Sequence, residues 1–323
     1  MLQRVLSCRT VQVVLRRLAQ TVPLLLAITL LSFGMMRLAG SDVVLQRMES
    51  TGTVLSQQAL DAARAQLGLD RPFWQQYLHW LGGVLRGDMG VSYVSGQEVF
   101  SAIVQRLPAT LLLAALAVAM TVAIALPLGI LAAVCRGRAI DRLLQGASFV
   151  GGSLPNFFVA LVLMYLLAIR LRLLPVIATG VNLTSALLPA LTLAIAMSAR
   201  YLRQVRAAVL GELGRPYVAG ALARGVPFYR VLWGSVLRSA LGTLLTLLAL
   251  SIGSLLGGTA IVESIFLWDG VGKLAVDAIQ MRDYPIIQAY VMWMAILYSV
   301  LNLVTDLVSP LLDPRLRTGE APA

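Results

Sequence analysis

Few residues of this 323-residue chain have side chains suited to catalysis or metal binding, and their spacing removes most of the options. His79 is the only histidine and Lys273 the only lysine. A lone imidazole with no second His or Cys beside it makes a poor metal site, so a solvated side chain stands against ligation there. Cys8 and Cys135 are far apart, without metal-ligand spacing, and imply no disulfide framework. A phosphate loop of the form G-x-x-x-x-G-K-[ST] needs a hydroxyl after its lysine, and Leu274 follows Lys273. The expectation is a chain that is not an enzyme: no catalytic constellation, no metal, and no cofactor of its own. ATP-driven work would need its motor on another subunit.

Several charged and polar groups lie in or beside apolar runs. Glu263, Asn302 and Asp306 fall in such runs, and Asn302 and Asp306 share a helix face at i, i+4. Intramembrane ionisable groups are functional suspects. Interhelical hydrogen bonding near the membrane boundary is preferred for Asp306, and Glu263 stays open. Arg200, Arg203 and Arg206 end an apolar run at i, i+3 spacing, suited to headgroup anchoring or to the helix C-terminal dipole.

These groups are positioned by membrane helices. Mean hydropathy is +0.83 and only 13% of residues are charged, against roughly a quarter in soluble domains. The net charge of +11 is scattered and forms no basic stripe beside stacking aromatics, so nucleic acid is not an expected partner. Runs of about 20 apolar residues, the length that spans a bilayer, lie near residues 18–38, 107–134, 143–169, 186–210, 239–265 and 286–310. The first is read as a retained span, because it is long and lacks a convincing cleavage site. The expected fold is an all-α integral membrane protein with six transmembrane helices. Segments 1–17, 136–142, 200–238 and 311–323 hold 16 of the 26 basic residues, which predicts that both termini are cytosolic.

The predicted organisation is a cytosolic N-terminus with the first helix at 1–38, an external insertion at 39–106, a five-helix core at 107–310 with a cytosolic loop at 213–238, and a cytosolic tail at 311–323. In the insertion, Phe73, Trp74, Tyr77, Leu78, Leu81, Val84 and Leu85 share one broad helical arc that could lie on the bilayer or pack on the spans, and His79 points away from it. In the third span "GGSLPNFF" places Gly151, Gly152 and Pro155 where a helix should kink. Irregular backbone at depth needs shelter by protein or by a water-filled path, so Ser153, Pro155 and Asn156 are candidate pathway residues. In the fifth span Thr243, Thr246, Gly253, Ser254, Gly257 and Ser264 fall on one small, weakly polar stripe, interrupted by Leu250 and Ile261. Such a stripe permits close helix packing, the preferred reading, or lines a pathway. Thr246, Ser254, Gly257, Gly258 and Glu263 join the pathway candidates.

Between the fourth and fifth spans stands "YVAGALARGVPFYRVLW", residues 217–233, which is basic and has no acid. Gly211 and Gly214 offer helix stops, Pro216 suits a first turn, and Gly225 with Pro227 should divide two short helices. The first, about 216–224, is too short to cross and too apolar to stand free, so it should lie along the cytosolic surface and seek a partner groove. The competing reading rests it on anionic lipid through Arg215, Arg224 and Arg230.

The stretch "YVAGALARGVPFYRVLWGSVLRSAL" resembles the cytoplasmic EAA loop of permease subunits in binding-protein-dependent ABC importers. Gly225 matches the loop's glycine and Leu237 its later leucine. Ala219, Gly220 and Ala221 stand in place of the E-A-A triplet and Arg238 in place of a proline, departures that look like the peptide and nickel branch. Residues 257–285, "GGTAIVESIFLWDGVGKLAVDAIQMRDYP", the "DPR" at Asp313 to Arg315, "SLPNFF" and "LGLDRPFWQQYLHWLGGVLRGDMG" extend the similarity over nearly the whole chain. Asp269 departs from the branch, which usually has proline before the glycine.

The resemblance implies a type I ABC importer permease fold in the bacterial cytoplasmic membrane and, from the insertion, the first of two paired permeases. It further implies a second homologous permease, two ATPase subunits carrying ATP and Mg, an extracytoplasmic solute-binding protein, and import of peptides, nickel or metal chelates. Tyr217, Ala219, Gly220, Ala221, Leu222, Arg224 and Gly225 would then form the ATPase-coupling segment. The alternatives are a stand-alone channel or secondary transporter, which the absence of a convincing inverted repeat disfavours, and a structural scaffold.

Overall fold

A computed structural model describes residues 2–38, 56–66, 70–178 and 180–312. Residues 39–55 of the insertion and the tail with its "DPR" at 313–315 lie outside the described residues. Among those described, the only extended pairing is an isolated bridge between Val91 and Glu98. The helices are α1 (Leu2–Leu38), α2 (Gln57–Gln66), α3 (Phe73–Leu85), α4 (Val99–Val134), α5 (Ala139–Ser153), α6 (Asn156–Leu163, continued by a π-helical stretch Met164–Arg170), α7 (Leu183–Leu213), α8 (Pro216–Ala223), α9 (Phe228–Val231), α10 (Leu237–Ile265), α11 (Val271–Gln280) and α12 (Tyr284–Leu312). A π-helical turn, Leu232–Val236, joins α9 to α10.

Among the described residues five segments are long and apolar enough to cross a membrane singly: Val14–Leu38, Val99–Val134, Leu183–Leu213, Phe228–Ile265 and Tyr284–Leu307. The sixth is the pair α5 and α6, bent by 103° at its break. The expected kink is thus a full break. Pro155 removes a backbone N–H and pushes Leu154 out of the helical region, and both residues are extended, with ψ of 134° and 142°.

Two helices are longer than their apolar runs. Helix α4 has 36 residues, about 54 Å at 1.5 Å per residue, so it overshoots a core about 30 Å thick. It starts at Val99 rather than near 107, because Arg106 interrupts apolarity without interrupting the helix. Likewise the expected second short helix of the loop between the fourth and fifth spans is not separate: α9 runs through the π turn into α10.

The chain forms two compact units. One comprises Met1–Arg17, Leu111–Trp268 and Tyr298–Ala323. Its core joins Ala125 and Ala133 of α4, Tyr201, Leu202, Val205 and Val209 of α7, Val218 of α8, Val231 of α9, Leu232 and Val236 of the π turn, and Leu237, Ala240 and Leu244 of α10. Helices α4 and α7 meet at Gly129, where a Cβ would lie 2.7 Å from Val205 Cβ and 2.9 Å from the Leu202 carbonyl oxygen. The Tyr201 hydroxyl donates to the Leu244 carbonyl at 3.0 Å, pinning α7 to α10. The other unit comprises Leu18–Thr110 and Asp269–Leu297. Its core gathers Val99, Ala102 and Ile103 of α4 with Val271 and Ala278 of α11 and Ile286, Ala289 and Met292 of α12. There Asp283 accepts hydrogen bonds from the Ser92 hydroxyl and, at 3.0 Å, from the Tyr93 amide.

Candidate coupling and translocation surfaces

The segment between the fourth and fifth spans is built from its caps. Helix α7 ends at Gly214, whose N–H donates to the Leu210 carbonyl at 3.1 Å, whereas Gly211 lies inside the helix and stops nothing. Pro216 opens α8 at its first position, where a missing N–H costs no bond. At the other end the Gly225 N–H donates to Leu222 and the Val226 N–H to Ala221, at 2.9 and 3.1 Å. This is the Schellman arrangement, and it requires left-handed backbone at Gly225, where φ is +80°. Val226 and Ala221, which this motif brings together, both pack against the large core.

That cap fixes the roll of α8. Val218 is buried and Ala221 half-buried against α4, α7 and α10, while Tyr217, Ala219, Leu222, Arg224 and Gly225 are exposed and Gly220 is intermediate. The seven residues assigned to coupling therefore divide: Ala221 is an anchor facing its own chain, and its neighbours supply the outer face. Beyond the break, Phe228, Tyr229 and Trp233 are also exposed. Glu212 organises the entry, accepting from the Tyr217 hydroxyl at 3.0 Å and approached by Arg215 at 3.6 Å.

Charged side chains behind this segment make contacts that spacing alone does not reveal. Arg206 of α7 grips the buried Asp141 of α5 with two bonds of 2.7 and 2.9 Å, and Asp141 also accepts from the Gly137 N–H and Gln145. Arg203 donates to the Ser148 carbonyl at 2.8 Å. Arg203 and Arg206 thus tie α7 to α5. Asp306 behaves as expected and pairs with Arg17 at 2.5 Å. Asp269 pairs with Arg106 at 2.9 Å, so the acid that departs from the branch pattern has a specific partner. These partners stand 65, 289 and 163 residues apart, a separation that no local pattern signals.

Some pathway candidates are brought together and others are not. Asn156, at the start of α6, lies against α10 so closely that a Cβ on Gly258 would come within 3.1 Å of its Nδ2. Ser153 and Pro155 are exposed at the break, as are Thr246, Ser254 and Gly257 on α10. Their hydroxyls are satisfied within their own helices: Ser153 donates to Phe149, Thr246 to Gly242 and Ser254 to Ser251, at 2.9 to 3.1 Å. Glu263 instead is fully buried, so it faces no open surface of this chain. The small-residue stripe also divides, because Gly253 is packed under the Tyr298 ring. Among the described residues no group of three His, Cys, Asp or Glu side chains could hold a metal ion.

Comparison with known proteins converges on one family. Residues 125–318 match the model described as "Binding-protein-dependent transport system inner membrane component", and residues 10–114 match its N-terminal counterpart. The chain is 34% identical to the dipeptide transport system permease protein DppB of Escherichia coli strain K12, over 95% of this chain and 98% of that protein. It is 36% identical to the oligopeptide transport system permease protein AppB of Bacillus subtilis, over 94% and 98%, and 33% identical to the glutathione transport system permease protein GsiC of Escherichia coli O6:H1, over the same shares. In fold it resembles a chain of the inward-facing MetNI methionine ABC transporter, with a TM-score of 0.56 and 17% identity over 65% of this chain and 96% of that one. The two family models, which between them cover most of the chain, and the three near-full-length relatives, together with the helical architecture and broken span of the described residues, place the chain in the family of binding-protein-dependent transport system inner membrane components, the permease subunits of ABC importers.

Proposed function

We propose that this permease imports peptides as the first of two related permeases, with both termini cytosolic, and that α8 is the segment through which a separate ATPase moves it. In this reading the complex contains a second homologous permease, two ATPases that carry ATP and Mg, and an extracytoplasmic solute-binding protein that delivers the cargo. The peptide assignment is supported by the names of the full-length relatives, two of which refer to dipeptides and oligopeptides and a third to glutathione. Nickel and metal chelates are the competing cargo, and the absence of a ligand cluster among the described residues does not distinguish a path for chelates from one for peptides.

The observation that carries the coupling role is the division of α8 into an anchored and an outward face. Val218 and Ala221 are locked into the core shared by three membrane helices, while Tyr217, Leu222 and, past the break, Phe228 present apolar surface outward. A partner groove that displaces this face displaces α4, α7 and α10 with it, because packed cores transmit displacement rather than absorb it. ATP-driven closure of the two motors then biases the permease between inward- and outward-facing states. Asp141 and Arg206 extend the rigid body to α5, and hence to the break at Pro155. Ser153, Pro155, Asn156, Thr246, Ser254, Gly257 and Gly258 are the proposed pathway surface, to which the buried Glu263 contributes by packing.

The test is site-directed crosslinking in the assembled importer. A cysteine at Leu222 should capture the ATPase in a nucleotide-dependent manner, and one at Ala221 should do so poorly. Capture of lipid alone at Leu222 would sink the coupling assignment. Uptake of labelled di- and oligopeptides, measured beside free and chelated nickel in cells with and without this gene, decides the cargo.

A further inference from the structure

Helix α3 divides into three arcs, and the environment of each differs. At 100° per residue, Phe73, Tyr77, Trp80 and Val84 fall within about 60° of one another, and they are the packed face. The Phe33 ring of α1 meets the Phe73 and Tyr77 rings edge-on at 5.4 and 5.7 Å, and Trp80 and Val84 pack against the core of their unit. Gln75, Gly82, Arg86 and His79 occupy a second arc of similar width, and Gln75, His79 and Arg86 are exposed. Trp74, Leu78, Leu81 and Leu85 form the third, lying between the other two. Three of these four are strongly exposed, at 61%, 62% and 81% for Trp74, Leu78 and Leu85. The single broad apolar arc read from sequence is therefore two arcs, of which this chain covers one.

The depth of α3 identifies what covers the other. The Tyr77 hydroxyl shares a hydrogen bond of 3.0 Å with the Thr29 hydroxyl and reaches the Leu26 carbonyl at 3.4 Å. Thr29 lies eight residues before Arg37, about 12 Å along the axis of α1, and Phe33 about 6 Å. Arg37 closes the apolar span as a headgroup-level side chain does. The packed arc of α3 thus meets α1 below the headgroup plane, inside a hydrocarbon leaflet about 15 Å deep. The opposite face of α1, turned away from α3, is apolar and exposed at Leu31, Met35 and Leu38.

We infer that α3 is an interfacial membrane helix, seated in the leaflet at the Leu38 end of α1, with Trp74, Leu78, Leu81 and Leu85 in acyl chains and Gln75, His79 and Arg86 in water. A helix with separate apolar and polar faces settles about 5–10 Å into the headgroup and acyl boundary, which matches the depth at which α3 meets α1. That the leaflet is the outer one rests on the proposed cytosolic location of the termini. The insertion then holds the outer end of the first span at a fixed depth.

The experiment uses the complete importer in phosphatidylethanolamine and phosphatidylglycerol nanodiscs, with Cys8 and Cys135 replaced and single cysteines introduced at Leu78, Leu85 or His79 to carry a fluorophore. Phospholipid bearing a nitroxide near the top of its acyl chain should quench the labels at 78 and 85 about twofold or more, and aqueous iodide should not; at 79 the pattern should reverse. Iodide quenching at 78 and 85 equal to that at 79 would overturn the inference, as would protection of 78 and 85 from both quenchers, which would mean a protein partner covers them. An impermeant maleimide applied to right-side-out cells separates the orientation from the seat. Failure to label His79→Cys, with lipid quenching retained at 78, would reverse the orientation and leave the interfacial helix standing.

Discussion

Gly225 offers the sharpest test of the coupling loop, because its requirement is conformational and not steric. Its φ is +80°, and a Cβ built there would have nothing within 4 Å. Crowding therefore cannot explain a defect, and replacements should rank by their tolerance of left-handed backbone. Asn visits this region readily and should behave nearly like Gly. Ala carries a penalty of roughly 1–2 kcal/mol. Val, β-branched and a true outlier at positive φ, should cost about 2–3 kcal/mol. At 1.4 kcal/mol per decade, the capped conformation loses about 5- to 30-fold in relative population with Ala and about 30- to 150-fold with Val. Losing the cap frees the carbonyls of Ala221 and Leu222 and detaches Val226 from the core, so the outer face of α8 turns away from any partner. The assay is ATP-driven uptake in proteoliposomes beside binding-protein-stimulated ATP hydrolysis, for Gly225→Asn, Gly225→Ala and Gly225→Val in assembled complexes. Uptake per ATP should fall in that order. Full coupling with Val, or a defect with Asn as severe as that with Val, would refute the reasoning.

Three further outcomes are expected. Asp141→Ala strands Arg206 beside a lost partner and should destabilise the complex by about 3 kcal/mol, the lower end of the range for a broken buried pair because Arg206 keeps some solvent contact; thermal unfolding of the purified complex measures this, and exchanging the two residues should recover part of the loss. Gly129→Ala drives a methyl group into Val205 and the immobile Leu202 carbonyl, with a cost of about 1–3 kcal/mol, and an unchanged unfolding midpoint would contradict the close approach of α4 and α7. Asp269→Pro, which restores the residue usual in the branch, removes the carboxylate that Arg106 contacts at 2.9 Å; this exposed pair should contribute under about 1 kcal/mol, read as a small stability change that 1 M salt abolishes.

Much of the architecture is legible in the sequence because it follows from local constraints. The bilayer demands about twenty apolar residues per crossing, so six runs announce six crossings. Pro155 and its effect on Leu154 announce the break in the third, and Gly225 with Pro227 announces the end of α8. Each of these signals acts over a few residues and needs no distant partner. Where the reading failed, a local cue was weaker than the helix around it. Gly211 did not stop α7, Arg106 did not delay α4, and α9 did not separate from α10. A single unfavourable residue costs a long helix about 1 kcal/mol or less, which tertiary packing readily exceeds.

The sequence by itself determined that this chain crosses a membrane several times, has no nucleotide-binding phosphate loop, and exposes a short capped helix between its fourth and fifth spans. Only the tertiary structure decided which way that helix is rolled, with Val218 and Ala221 inward and Leu222 outward. It alone paired Asp141 with Arg206 and Asp269 with Arg106, and it alone split the arc of α3 into a packed face and an exposed one. The physical reason is reach: propensity, capping and hydropathy act within a turn or a span. The face a helix buries is set by side chains tens to hundreds of residues away, which only folding brings into contact.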